Sequence, residues 1–321
     1  MPAVALNPVD QVEVLTVMDN TIDLLMASTS VAHRAPLRRD TFSRPRLRAE
    51  HGVSMLVTVH YEGKKEVILF DAGTTQDGAL HNMDVLEVKP KDLHAVVLSH
   101  GHTDHTSGLI GLLKRFSRHG MPIILHPDAF LNRKNVLPDG HEVDLPPPDR
   151  RDIEAEGINV VEERGPTLLI DSRILITGQI PRNTPFEKGF PPGRAEINGQ
   201  WQPDPWIHDD QAIVIHVRDK GLVVLTGCGH AGLINTLQFS REITGVNEIY
   251  SVMGGFHLTG KIFEPIIGPT VEALARFSPK IIVPQHCTGW RATQEISRQF
   301  PEHSYPRVSE HLLCSNQIIE G

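Results

Sequence analysis

Seven residues constrain this chain more than any others: Ser99-His100-Gly101-His102-Thr103-Asp104-His105 stands directly behind the apolar run Ala95-Val96-Val97-Leu98. An apolar run closed by polar residues reads as a buried strand. Side chains alternate along a strand, so where this one runs out at Ser99, His100 and His102 are two apart and point to one side. The following turn presents Asp104 and His105 to a neighbouring point. Three imidazoles and a carboxylate at the carboxyl end of a strand form half of a metal site, with donors for a second metal.

The rest of the chain offers the other half. Hydrophobic alternation predicts strands over 12–17, 54–61 and 66–70, the last two joined by the turn Glu62-Gly63-Lys64, and Asp71-Ala72-Gly73 closes that hairpin with a carboxylate. A short helix over 78–86, a strand over 93–98, a helix over 107–119 and a strand over 122–126 follow. From about 127 to 210 the pattern weakens under Pro146-Pro147-Pro148, Pro191-Pro192-Gly193, Pro203 and Pro205, with one firm strand over 173–177 and with Trp201 and Trp206. We read this stretch as a Pro-rich lid or insertion in a single 1–321 domain.

Regularity returns with strands over 212–217 and 222–226, a helix over 233–244, a strand over 248–253, a helix over 270–277 and a strand over 281–284. Strands alternating with helices predict a layered α/β architecture. Three of these strands end in a histidine: Leu225 leads to Gly227-Cys228-Gly229-His230, Met253 to Gly254-Gly255-Phe256-His257, and Val283 to Gln285-His286-Cys287.

Composition narrows the partners. The 31 basic and 39 acidic residues give a net charge of −8, which argues against nucleic acid. Arg34, Arg38, Arg39, Arg44, Arg46 and Arg48 crowd one stretch, read as a solvated loop, with an anionic substrate or another subunit as the alternative. There is no long apolar run for a membrane span, and the acidic start lacks a secretion signal. The cysteines Cys228, Cys287 and Cys314 are too few and uneven for a disulfide framework. These features predict a cytoplasmic protein that binds a small-molecule substrate; whether it forms a homo-oligomer is open.

His100-Gly101-His102-Thr103-Asp104-His105 resembles the HxHxDH signature of the metallo-β-lactamase superfamily. The segments 49–54, 69–73, 209–212, 226–232, 254–258 and 286–289 are similar to a narrower group within it, that of dihydropterin-aminobenzene-phosphate synthase and related metal-dependent hydrolases. The resemblance implies a four-layer αββα sandwich with metals at one edge. It implies that His100 and His102 hold a first metal and that Asp104, His105 and His286 hold a second. His230 falls near the position where the superfamily often carries a bridging Asp and is also assigned to metal; the residue after Gly227 is here Cys228. His208, Asp209 and Glu187 are the candidates for a third ligand of the first metal.

Imidazole and carboxylate donors suit one or two divalent ions, zinc first, with iron or manganese as alternatives. Two ions about 3.5–4 Å apart would hold a hydroxide as nucleophile. The function expected is a metal-dependent hydrolase using a metal-bound hydroxide on a small anionic or heterocyclic metabolite. The alternatives are a synthase-type transferase releasing pyrophosphate and a non-catalytic metal-binding sensor. Asp104 is expected both to ligate and to orient the nucleophile, and His257 to transfer protons. Asp71 would accept a hydrogen bond from a ligand imidazole. His51, Asp209 and Cys287 are candidates for a supporting or substrate role. Cys228 and Cys287 are read as small buried residues, with thiolate ligation as the alternative.

Overall fold

The computed structural model describes residues 3–90 and 93–305, and the backbone of a strand at 312–314; the side chain of Cys314 lies outside the described residues. The chain opens with β1 (Gln11–Met18) and the two-residue β2 (Ala32–His33), then the hairpin β3 (Ser54–Tyr61) and β4 (Lys64–Phe70). Helix α1 (Gly78–Val85) leads to β5 (Leu93–Val97), the short α2 (Thr103–Thr106), α3 (Leu109–Phe116) and β6 (Pro122–Leu125). Next come β7 (Arg133–Val136), β8 (Glu142–Leu145), α4 (Arg150–Ala155) and β9 (Asn159–Glu162). These precede β10 (Thr167–Leu169), β11 (Ile174–Ile176), β12 (Gly193–Ile197) and β13 (Gln200–Pro203). The last part holds β14 (Ala212–Val217), β15 (Gly221–Thr226), α5 (Leu233–Thr244), β16 (Ile249–Gly255), α6 (Ile267–Ala275), β17 (Ile281–Gln285), α7 (Trp290–Gln299) and β18 (Leu312–Cys314).

Two sheets carry the architecture. One runs β2-β18-β1-β3-β4-β5-β6-β9, and the other β10-β11-β14-β15-β16-β17. The strand alternation divides their side chains between layers. Ala95 and Val97 of β5 face the other sheet, packed with Val57, Phe70, Ile213, Leu225, Met253 and Val283. Their neighbours Val96 and Leu98 face outward onto α1 and α3 through Met83, Leu109, Leu112 and Leu113. On the far side Val224, Val252 and Ile282 pack under α5, α6 and α7 through Leu237, Leu274 and Ile296. The result is the expected four-layer αββα sandwich. Within it β4, β5, β6 and β9 are mutually parallel, as are β15, β16 and β17, so both parallel blocks present their carboxyl ends, where α/β folds place their sites.

The segment 127–210 is more regular than its prolines suggest. β9 extends the first sheet and β10 and β11 extend the second, while β13-β12-β7-β8 form a small third sheet. Short strands broken by Pro and Gly carry too little periodicity to be seen in sequence. The core strands match expectation closely, with β3, β14 and α5 covering the anticipated residues. Among the described residues no helix is long and apolar enough to cross a membrane.

Candidate metal centre

The carboxyl ends of β5, β15, β16 and β17 bring His100, His102, Asp104, His105, Cys228, His230, His257 and His286 together. The ring centroids of His100 and His102 are 4.6 Å apart, and His230 lies 4.8 Å from the first and 4.9 Å from the second. His105 is 4.3 Å from His100 and 5.0 Å from His286. His286 Nε2 lies 3.1 Å from Asp104 Oδ2. Two donor sets centre on the histidine loop, one of Asp104, His105, Cys228 and His286, the other of His100, Cys228 and His230, and a third joins Cys228, His257 and Cys287; in each, the ligand atoms lie within 4.8 Å of one another.

Backbone shape enforces this crowding. Asp71, His257 and His286 sit at strand ends with φ of 59°, 45° and 46°, a conformation costly for side chains larger than glycine and tolerated where function requires it. Gly227 carries no side chain because a Cβ there would strike Ser99 Oγ, and so Cys228 can approach the histidine loop.

A ring of polar groups sets which imidazole nitrogen faces the cluster. Asp71 is fully buried and accepts from Ser99 N at 2.7 Å, Ser99 Oγ at 2.7 Å and His105 Nδ1 at 2.6 Å. Because the Ser99 hydroxyl proton goes to Asp71, Ser99 Oγ accepts from His100 Nδ1 at 2.9 Å. His286 Nδ1 donates to Asn20 Oδ1 at 3.0 Å, and His286 N to Asp19 Oδ1 at 2.9 Å. In His100, His105 and His286 alike, Nδ1 is held by an acceptor and Nε2 faces inward, the tautomer a metal needs. Asn20 and Asp19 were not among the expected site residues; their only sequence signal is their place just past the end of β1.

Electrostatics agree for His100, His102 and His230 and set His105 apart as the ring that keeps a second proton until a cation displaces it. Burial, reinforced by neighbouring imidazoles, holds His100 and His230 well below the usual histidine range, and burial with the nearby Arg133 cation brings His102 to about 4, so these rings are neutral. Burial opposes the charge on His105 too, but Asp71 and Asp104 outweigh it and raise this ring to about 9. Burial raises Asp104, and His105 and His286 more than offset that, leaving it an anion. Among the described residues, the buried His102 Nε2, His230 Nε2 and His257 Nδ1 meet no hydrogen-bond partner. Buried nitrogens with lone pairs and no donor opposite are unusual. A divalent cation would satisfy them, and a mixed N, O and S donor set is of the kind that could hold one.

The remaining expected residues take distinct places. His51 sits at the rim with its side chain 69% exposed, 3.6 Å from Asp104 Oδ2 and with its ring 4.8 Å from His286. His257 stacks 4.1 Å from His230 and edge-on to Phe263 at 4.4 Å. Cys287 Sγ donates to the Cys228 carbonyl at 3.1 Å. Asp209 supports the histidine loop from behind, with Oδ2 accepting Gly101 N at 2.8 Å and both oxygens bound by Arg133.

Among the described residues, none of the three candidates for a third ligand of the first metal joins a donor set; His230 stands with His100 and Cys228 in one of them. His208 pairs with Gln179 at 3.2 Å. Glu187 accepts Ile234 N at 2.8 Å and Asn235 N at 2.9 Å, capping α5, where a carboxylate meets the unpaired N–H groups of the first turn. Glu187→Ala strands these buried donors and is expected to cost about 1–3 kcal/mol in chemical denaturation while metal stoichiometry stays unchanged. A change in bound metal would reverse this assignment. Half of the arginine-rich stretch is in ion pairs: Arg38 and Arg44 pair with Glu87, and Arg48 with Asp77.

Comparison with known proteins agrees with the geometry. The sequence profile of the metallo-beta-lactamase superfamily matches residues 47–241. The chain is 34% identical to the 7,8-dihydropterin-6-methyl-4-(beta-D-ribofuranosyl)-aminobenzene-5'-phosphate synthase of Methanocaldococcus jannaschii, over 79% of this chain and 86% of that one. An uncharacterized protein of the same organism is 29% identical over 78% of this chain and 88% of its own length. Among solved structures, a metal-dependent hydrolase of the beta-lactamase superfamily superposes with a TM-score of 0.70 at 26% identity, covering 94% of this chain and 98% of that one. By fold, by profile and by relationship along most of its length, the chain belongs to the metallo-β-lactamase superfamily.

Proposed function

We propose that the protein is a metal-dependent hydrolase acting on an ester, lactone or phosphoester bond of a small anionic or heterocyclic metabolite. The observation that carries this reading is the pair of buried imidazole nitrogens His102 Nε2 and His230 Nε2, on rings 4.9 Å apart, with no hydrogen-bond partner among the described residues. His100, His102 and His230 would hold one divalent ion, and Asp104, His105 and His286 another. Bound there, the metal supplies Lewis acidity and an activated water at neutral pH.

The protein's own groups do the rest. Asp104 Oδ2, facing His286 and the rim, is placed to orient a nucleophile. His51 is exposed beside Asp104 and can contact substrate or carry a proton to solvent. His257 is the second group able to move a proton, because its Nδ1 is buried and unengaged among the described residues while its ring lies against His230. The third sheet, tied to the histidine loop by Arg133, would form one wall of the substrate entrance.

A second reading, the transfer that joins a dihydropterin to an aminobenzene ribose phosphate with release of pyrophosphate, rests on the 34% identical relative with that printed activity. Arg38, Arg44 and Arg48 hold carboxylates in exposed ion pairs, and Arg34, Arg39 and Arg46 of the same stretch would be the groups to meet its phosphates. Metal-loaded protein is to be assayed on ester, lactone and phosphodiester substrates, and separately for pyrophosphate release. Hydrolysis that disappears on chelation and returns with metal is expected. Pyrophosphate release only when both synthase substrates are present would replace the first reading with the second, and a fully metallated protein inert in every assay would leave neither.

A further inference from the structure

Residues 19–51 leave the metal centre and return to it. At one end Asp19 Oδ1 and Asn20 Oδ1 accept from His286, and at the other His51 stands 3.6 Å from Asp104 Oδ2. In between, the chain folds against Val85 and Leu86 at the end of α1 and encloses a cleft of about 120 Å³. Helix α1 starts beside Glu50, whose Oε1 accepts Thr75 Oγ1 at 2.7 Å, and its eight residues run about 12 Å before the cleft is reached. None of the metal-binding candidates lines it.

The lining joins two chemistries. Leu24, Leu37 and Leu47 supply apolar walls, and the guanidiniums of Arg34, Arg38, Arg44 and Arg46 stand among them with no carboxylate in the lining. Glu87 and Asp40 neutralise two of these cations, pairing with Arg38 at 2.7 Å and Arg44 at 2.5 Å. Arg34 is aimed by backbone carbonyls alone, Nε donating to Met26 O at 2.8 Å and Nη1 to Ala35 O at 2.7 Å. Arg46 Nη2 donates to Phe42 O at 3.5 Å. Among the described residues neither of these two meets a carboxylate, and arginine stays charged at any physiological pH. Positive charge is therefore left over here in a chain of net charge −8. Leu37 is 44% exposed, and Phe42, beneath the Arg46 guanidinium, is 64% exposed. Apolar surface left to water beside guanidiniums without counterions matches a ligand that is itself part apolar and part anionic.

We propose that this cleft is a binding site for a small organic anion, a compact apolar body carrying one carboxylate, sulfonate or phosphate group. The apolar part fits the space, since an apolar cavity of about 150 Å³ admits benzene. The head group meets Arg34 and Arg46, whose planar forks suit the paired oxygens of such an anion. Inorganic phosphate and a neutral hydrocarbon each offer only half of this chemistry. The site needs no metal and stands whichever reaction the metal centre performs.

The probe is 4-fluorobenzenesulfonate, followed by fluorine NMR on the full metal-loaded chain. Wild type and Arg218→Glu, the same charge change outside the cleft, are expected to bind one probe per chain saturably. Arg46→Glu and Leu37→Asp are expected to bind it about 10-fold more weakly with circular dichroism unchanged. Sulfate and fluorobenzene should each displace it about 10-fold less well than benzenesulfonate does. Equal binding by all four chains, or displacement by sulfate as effective as by benzenesulfonate, would overturn the proposal. If either cleft variant unfolds, a wild-type crystal soaked with 4-bromobenzenesulfonate decides: bromine beside Leu37 and Arg46 upholds the site, and bromine only elsewhere sinks it. In the activity assays above, a probe that raises KM alone marks the cleft as the far end of the substrate site, and one that lowers kcat marks a separate ligand; either upholds the site. A chain that takes up no metal sinks the functional reading and leaves this one to the binding data.

Discussion

Asp71→Asn is expected to lower divalent-metal affinity by about 10–100-fold while leaving secondary structure intact, a large effect for a residue that touches no metal. The reason lies in how its two oxygens divide their work. Oδ1 accepts Ser99 N, and Oδ2 accepts both Ser99 Oγ and His105 Nδ1. An asparagine that keeps its oxygen on the buried Ser99 N–H turns its amide nitrogen toward His105. That nitrogen can only donate, so His105 Nδ1 must become an acceptor and the ring proton moves to Nε2. Nε2 is the atom facing Cys228, and a protonated Nε2 offers no lone pair. The same change frees the Ser99 hydroxyl from Asp71 and loosens the tautomer of His100, so one substitution disturbs both donor sets. Competition with a chelator of known affinity measures the loss, and an unchanged affinity would show that the tautomers are set elsewhere. Asp71→Ala should do worse, because it also leaves Ser99 N buried without an acceptor, at a further cost of about 1–3 kcal/mol.

Half of this cluster is legible in the order of residues and half is not. His100, His102, Asp104 and His105 stand together behind a strand, and His230, His257 and His286 each follow an apolar run, so strand alternation and strand ends suffice to find them. Parity of β5 alone assigns Val97 to the inner layer and Val96 to the outer one. What remains hidden depends on approaches across the fold. Asn20 meets a ring 266 residues away, and Arg133 meets Asp209 across 76 residues, with no local pattern to announce either. Cys228 looks in sequence like a small buried residue, and only the packing of Gly227 on Ser99 shows what its sulfur faces. Helix α7 escapes for another reason: Ala292 and Ile296 are its buried residues, two apolar positions in a short and mostly polar stretch.

The other large effect should come from Arg133, which joins the small third sheet to the histidine loop. Its side chain is 3% exposed and binds Asp204 at 2.8 Å and Asp209 at 2.7 Å, while Asp209 is fully buried and holds Gly101 N, between His100 and His102. Burial alone would raise the Asp209 carboxyl; Arg133, with help from His102 and the Gly101 N–H, brings it below the usual range and keeps it ionised. Arg133→Met removes that cation and leaves a charge in the interior without its counterion, which costs about 3–5 kcal/mol. The expected result is a fall of that size in denaturant stability, together with weaker metal binding as the Gly101 backbone loses its anchor. Arg133→Met combined with Asp209→Asn should recover much of the loss, since the amide is neutral and still offers an oxygen to Gly101 N. If Arg133→Met instead costs under about 1 kcal/mol, the value of a solvent-screened pair, the third sheet is not what holds the metal-binding loop in place.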